Sequence, residues 1–238
     1  MTRPHDSWAD VYDLAYQEEY GPFINNLTEL TLQVVESLLP AGSTIIDFGA
    51  GTGRLSIPLA HRGYRVTAVE PSGPMLERLR ITDTDNSVDC VNSDIQSYRG
   101  DTGFDFAICV FTVVIYLLDR ESLQAALGAA WRALSPGGGL LLDVPGPGVF
   151  CSHSFANERM ARTVAIDPVN EEVCEYSEHI VVRAPNGDRV FEDHFKIRCW
   201  SAQDVLAGAE AAGFHLLADL SDTFAGSGSS YLLFQRAE

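Results

Sequence analysis

Three acids stand at the ends of three successive apolar runs. Asp47 closes "TIID", Glu70 closes "RVTAVE" and Asp94 follows "VDCVNS". After the first run comes Gly49-Ala50-Gly51-Thr52-Gly53, with three glycines at alternate positions. Glycine lets a ligand approach the main chain closely and tolerates positive φ. In doubly wound sheets, the turn from strand to helix is where ligands bind. Each acid has chemistry suited to such a place. Glu70, about 20 residues past the glycines, can accept both hydroxyl protons of a ribose. Asp94 can accept from an adenine amine, with Ile95 supplying an apolar wall and a main-chain N–H. Asp47 can meet a cationic amino group, where a pyrophosphate would be repelled. The Gly-Lys-Ser/Thr ending of a triphosphate loop is absent, because Arg54 follows Gly53. Arg54 also stands where a nicotinamide-binding GxGxxG motif has its third glycine, although Glu70 alone suits a nicotinamide dinucleotide equally well.

The surrounding pattern supplies elements to hold these residues. Residues 25–39 show helical spacing of Leu27, Leu30, Val34, Val35, Leu38 and Leu39, with Asn25 or Asn26 as cap. Strands and helices then alternate. "TIIDFG", "RVTAVEPS", "VDCVNSD", "FDFAICVFTVV" and "GLLLDVP" read as strands, separated after the first, second and fourth by helical segments. The fourth run is apolar almost throughout, as a strand buried on both faces should be. This alternation predicts a doubly wound, mostly parallel α/β sheet. After residue 146 the pattern changes. Residues 173–183 and 189–199 predict two antiparallel strands joined at Asn186-Gly187. A helix capped by Ser201 and ended by Gly213 follows, and "HLLADL" and "YLLFQR" complete a seven-stranded sheet.

Composition narrows the partners. The 238 residues carry a formal net charge of −17, which argues against nucleic acid and against anionic membrane surfaces. No apolar run approaches the ~18 residues of a membrane span. The polar start shows no signal core. The five cysteines have no CxxC spacing and suit a reducing compartment, so a cytoplasmic protein is expected. His and Cys show no zinc-like spacing, and no metal is expected.

Taken in order, "DFGAGTG", "VEPS", "NSDIQ", "FDFAICVFTVVIYL" and "LSPGGGLLLDVP" resemble class I methyltransferases that use S-adenosylmethionine (SAM). The resemblance covers roughly residues 40–145. The stretch "WADVYDLAYQ" is similar to the lid of the small-molecule branch, such as amino-sugar N,N-dimethyltransferases, and less closely to glycine N-methyltransferase-like enzymes. The resemblance implies one domain over 1–238, made of a helical lid (1–39), a SAM-binding core (40–146), a substrate-lid β insertion (147–200) and closing elements (201–238). It implies a cofactor site of Tyr12, Tyr16, Asp47, Gly49, Ala50, Gly51, Gly53, Glu70, Pro71, Asp94, Ile95 and Phe111. Tyr16 would lie near the reacting centre.

Methyl transfer from a sulfonium needs mostly positioning and desolvation. A hydroxyl acceptor would also need a base. Tyr16, Tyr20, Tyr116, Asp143, His153 and His194 are the polar candidates. Tyr16 and Tyr116 are taken as catalytic, and both histidines as surface or structural groups. The expected activity is methylation of a small-molecule amine or hydroxyl in specialised metabolism, by a monomer or homodimer. The alternatives are an NAD-linked oxidoreductase and a SAM-binding module without catalysis.

Overall fold

A computed structural model describes residues 3–237. Met1, Thr2 and Glu238, at the ends of the expected 1–238 domain, lie outside the described residues. The elements in chain order are α1 (Tyr12–Leu38), β1 (Thr44–Phe48), α2 (Ser56–His61), β2 (Arg65–Glu70), α3 (Gly73–Thr82), β3 (Val88–Asn92), β4 (Phe104–Cys109), α4 (Arg120–Ala133), β5 (Leu134–Pro145), β6 (His153–Ala156), β7 (Met160–Pro168), β8 (Val173–Val182), β9 (Arg189–Arg198), α5 (Ala202–Ala211), β10 (Phe214–Asp219) and β11 (Ser229–Arg236).

Seven strands form one sheet in the order β10-β11-β5-β4-β1-β2-β3. Strands β1 to β5 pair in parallel, and β11 runs antiparallel to both neighbours. The order reverses between β1 and β4, which leaves a crevice at the carboxyl ends of those strands. Both sheet faces are covered. On one side, Ile46, Phe48 and Leu142 pack against Leu123 and Leu127 of α4 and Val205 of α5. On the other, Ile45 and Ile108 pack against Leu27, Leu32 and Val35 of α1 and Leu76 and Leu79 of α3.

Four departures from the sequence reading matter for the site. First, α1 begins at Tyr12, so Asn25 and Asn26 are interior positions and cap nothing. The helix runs through Pro22. An interior proline costs about 3 kcal/mol, and burial of Trp8, Val11 and Ala15 against Met160, Ile180 and Val182 offsets it. Second, β4 stops at Cys109, and Phe111 and Thr112 take left-handed φ of 65° and 68°. Third, β5 starts at Leu134, five residues earlier than read, with a register shift opposite Phe104 and Phe106. Fourth, the expected hairpin is half of a four-stranded antiparallel sheet, β6-β7-β8-β9. This second sheet packs on the start of α1, so the two roof the crevice together.

Candidate functional site

A single cavity of about 1700 Å³ runs from the glycine turn to the underside of the second sheet. Its floor is the crevice at the strand ends. Gly49, Gly51 and Gly53 all have positive φ, at 77°, 57° and 89°. A Cβ at Gly49 would fall 2.5 Å from Val113, and one at Gly53 would fall 2.7 Å from Leu79. A Cβ at Gly51 would meet nothing within 4 Å, although Gly51 lines the cavity. The backbone there forms a cradle open to a ligand.

Glu70 lies beside that cradle. Its carboxylate accepts from Gly51 N at 3.0 Å and Ser72 N at 2.9 Å. Burial pushes its pKa up to about 7, against the pull of those two N–H groups. Asp94 sits farther along the wall with Pro71 and Ile95. It accepts from Ser97 N at 2.9 Å and pairs with Arg3 Nη2 at 3.1 Å.

Two expected cofactor residues stand elsewhere. Asp47 is 3% exposed and off the cavity wall. Its carboxylate turns to the start of α2, where Ser56 Oγ donates at 2.6 Å, and burial pushes its pKa up to about 6. Ala50 faces the core, and its N–H donates to Val69 O. Phe111 does line the cavity, carrying the Arg54 guanidinium 3.2 Å above its ring centroid. Arg54 also donates to Thr28 Oγ1 at 3.0 Å and lines the cavity. Asp143 lines the cavity at the end of β5 and accepts from Thr112 N at 2.9 Å. It therefore holds the left-handed turn after β4, where backbone strain of about 1–3 kcal/mol per residue needs an external partner.

The roof half is aromatic. Tyr12, Tyr16 and Tyr20 project from one face of α1 at i, i+4 and i+8, with ring centroids 4.5 and 6.0 Å apart. Tyr116 and Tyr176 line the facing wall. Burial raises the phenols of Tyr12, Tyr16, Tyr116 and Tyr176 above their ordinary value, so none is a ready base.

Beneath the tyrosines lies a buried charge cluster that the sequence reading missed. Arg162 donates to Glu178 Oε1 at 2.5 Å, to Glu19 Oε2 at 2.7 Å and to Tyr176 Oη at 3.2 Å. One cation thus faces two carboxylates. His153, expected to be peripheral, lies 3.0 Å from Glu19 Oε1 and 2.7 Å from Tyr20 Oη on the cavity wall. His194 is exposed and bonds Ser177 Oγ, away from the cavity. His5, which no motif had singled out, bonds Tyr116 Oη through Nε2 at 2.8 Å. Burial, with Arg162 nearby, lowers its pKa to about 3. A lone histidine before the first helix carries no sequence signal, since its partners lie 111 or more residues away.

Residues 45–138 match a family model described as a methyltransferase domain. The chain is 35% identical over 109 residues to a cypemycin N-terminal methyltransferase from a Streptomyces species, covering 46% of this chain and 44% of that protein. It is 28% identical over 138 residues to dTDP-3-amino-3,4,6-trideoxy-alpha-D-glucopyranose N,N-dimethyltransferase of Streptomyces venezuelae, covering 57% and 56%. The chain thus spans about half the length of these curated relatives. Among solved structures, an S-adenosylmethionine-dependent methyltransferase from Clostridium acetobutylicum superposes with a TM-score of 0.84 at 14% identity, over 96% of this chain and 99% of that one. SAM-bound CalS10, an amino pentose methyltransferase from Micromonospora echinaspora, superposes with 0.77 at 21% identity, over 95% and 97%. These likenesses show that the fold is Rossmann-like and shared with methyltransferases.

Proposed function

We propose that this chain, whose residues 45–138 match a methyltransferase domain model, transfers a methyl group from SAM to an amine of a small molecule. The observation that carries the reading is the continuity of the cavity. A glycine cradle with acids at the ends of β2 and β3 opens directly into a tyrosine-walled chamber under a roof.

The residues present fit the cofactor. Gly51 leaves room for it, as the unobstructed Cβ direction indicates. Glu70 offers a carboxylate to the ribose hydroxyls. Asp94 and Ile95 suit the adenine, and Arg54 suits the methionyl carboxylate. When bound, SAM supplies an activated methyl group on a sulfonium. The chain's own residues then have three tasks. The tyrosine wall excludes water from the reacting centre. Tyr16 and Tyr116 position the acceptor's nucleophile. Glu19, on the cavity wall, and Glu178 outnumber Arg162 within their buried cluster by one formal charge, and this local carboxylate excess beside the tyrosines supports a basic amine over an anionic acceptor. The name of the N,N-dimethyltransferase relative supports the same choice. The nicotinamide alternative gains no support from the matched methyltransferase domain.

Calorimetric titration with SAM, S-adenosylhomocysteine and NADH tests the cofactor. Saturable binding of the first two, with no response to NADH, is expected. An acceptor screen with labelled SAM, comparing amines with matched alcohols and phosphorylated amines, tests the substrate class. Turnover confined to alcohols or phosphorylated compounds would overturn the amine reading.

A further inference from the structure

We infer that His5 fixes the Tyr116 hydroxyl as a hydrogen-bond acceptor facing the cavity, so that the group to be methylated enters as an N–H donor to Tyr116 Oη. The inference rests on the methyl-transfer reading and adds a positioning residue to it.

The argument follows the polarity of one chain of groups. His5 is 8% exposed and is held under the roof by its own main-chain N–H, which donates to Asp193 Oδ2 at 2.5 Å. Its left-handed φ of 67° is a strained conformation for a non-glycine residue, so the surroundings dictate where the ring sits. The ring's Nδ1 faces two carboxylates, Glu178 Oε2 at 3.8 Å and Asp193 Oδ2 at 3.9 Å. Both Nδ1 and Glu178 Oε2 are buried without another partner. Arg162 stands on the far side of Glu178. Burial and Arg162 keep the imidazole neutral, so it carries one N–H. The two carboxylates attract that proton to Nδ1. Nε2 is then bare, and its 2.8 Å contact with Tyr116 is one in which Tyr116 O–H donates.

With its proton committed to His5, Tyr116 has only lone pairs left for the cavity. It can accept from an amine and cannot donate to one. That distinction matters for methyl transfer. A hydroxyl donating to the amine would occupy the nitrogen lone pair that must attack the methyl carbon. A hydroxyl accepting from the amine's N–H leaves the lone pair free and orients it. His5 does not touch the acceptor nucleophile in this arrangement; it acts through Tyr116.

The test has two readouts. In the whole protein labelled with ¹⁵N-histidine, a long-range proton–nitrogen spectrum should show the His5 ring as the Nδ1–H tautomer, with no protonation between pH 5.5 and 8.5. His5→Leu identifies the signal by removing it, and Tyr116→Phe should shift its Nε2 resonance. An Nε2–H tautomer, or a ring that protonates in that range, would overturn the proposal. Kinetically, with an amine acceptor from the screen, His5→Leu and Tyr116→Phe should each lower kcat/KM for the acceptor about tenfold, the cost of one hydrogen bond to a misdirected group. The double variant should lose no more than that tenfold, ~1.4 kcal/mol, and SAM affinity should stay within about twofold of wild type. His5→Gln, whose amide oxygen can still accept from Tyr116, should recover most of the loss. Full activity in His5→Leu, or multiplicative losses in the double variant, would overturn it. Failure of the wild type to bind SAM would refute the methyl-transfer reading, while the tautomer spectrum would still decide the His5–Tyr116 polarity.

Discussion

Arg162 Nε lies 2.5 Å from Glu178 Oε1, with the two side chains 2% and 0% exposed. Glu19 approaches the same guanidinium from α1, so the Arg162–Glu19 contact ties the helical half of the roof to the second sheet. Removing one member of a buried pair strands the other, at a cost of about 3–5 kcal/mol. Arg162→Met should therefore lower stability by roughly that amount in urea unfolding at pH 7. Adding Glu178→Leu should restore part of the loss, because it removes a stranded charge. A single variant as stable as wild type would mean that the cluster is hydrated and contributes nothing to closure.

Gly51 and Gly53 should respond differently to alanine. At Gly53 a Cβ meets Leu79 at 2.7 Å with φ at +89°, so Gly53→Ala should destabilise the fold itself. At Gly51 the added methyl points into open cavity. Gly51→Ala should cost only the left-handed penalty of about 1–2 kcal/mol. Its SAM affinity should fall more than about tenfold, which is 1.4 kcal/mol of lost binding. Melting curves and calorimetry on the two variants separate the effects. Unchanged SAM binding in Gly51→Ala would remove the cradle from the cofactor site.

The central sheet was legible because its signals are local. Ile45 and Ile46 ahead of Asp47, and the apolar run of β4, read directly as buried strands, and the glycine turn marked the crevice. Of the roof, only the β8–β9 hairpin was legible, from Asn186-Gly187, and the rest was not, for the opposite reason. Strand β7 carries Arg162 at an inward position and β8 carries Glu178 likewise, so the alternation of apolar and polar residues that marks a half-buried strand is broken where the site needs charge. The same holds for Asp47, where sequence shows a carboxylate at a strand end and only the fold shows Ser56 claiming it. His5 is the extreme case, since its role depends on Tyr116, Glu178 and Asp193, all distant in sequence.

Buried carboxylates make stability depend on pH in an unusual direction. Burial raises Glu70 to about 7, and Asp47 and Asp143 to about 6. Each acid binds its proton more tightly folded than unfolded. Their stabilisation is therefore complete below the unfolded pKa, near 4, and is lost as pH rises through 6 to 7. The ligand-free protein should melt at a higher temperature at pH 5 than at pH 7.5, and Glu70→Gln should narrow the gap. Ribose hydroxyls donating to Glu70 would favour its ionised form. SAM binding near pH 7 should then release a fraction of a proton, seen as a dependence of the calorimetric heat on buffer ionisation enthalpy. Proton uptake instead would mean that Glu70 is not the ribose acceptor.

Arg3 reaches across the cavity mouth to Asp94, at the end where the adenine is proposed to lie. The pair is accessible, with side chains 50% and 25% exposed, so it contributes about 0–1 kcal/mol to stability. Its effect should appear in ligand exchange. Arg3→Ala should leave the melting transition nearly unchanged and speed SAM release several-fold, because the segment before α1 loses its anchor on the cofactor side. Asp94→Asn should act differently. It removes the same ion pair and also replaces the carboxylate proposed to accept from the adenine amine, so affinity should fall about tenfold, the cost of leaving one donor poorly paired. Stopped-flow release and equilibrium titration on the two variants distinguish a closing strap from an adenine contact. If Arg3→Ala released SAM at the wild-type rate, the Arg3–Asp94 pair would be a surface contact with no part in holding the cofactor.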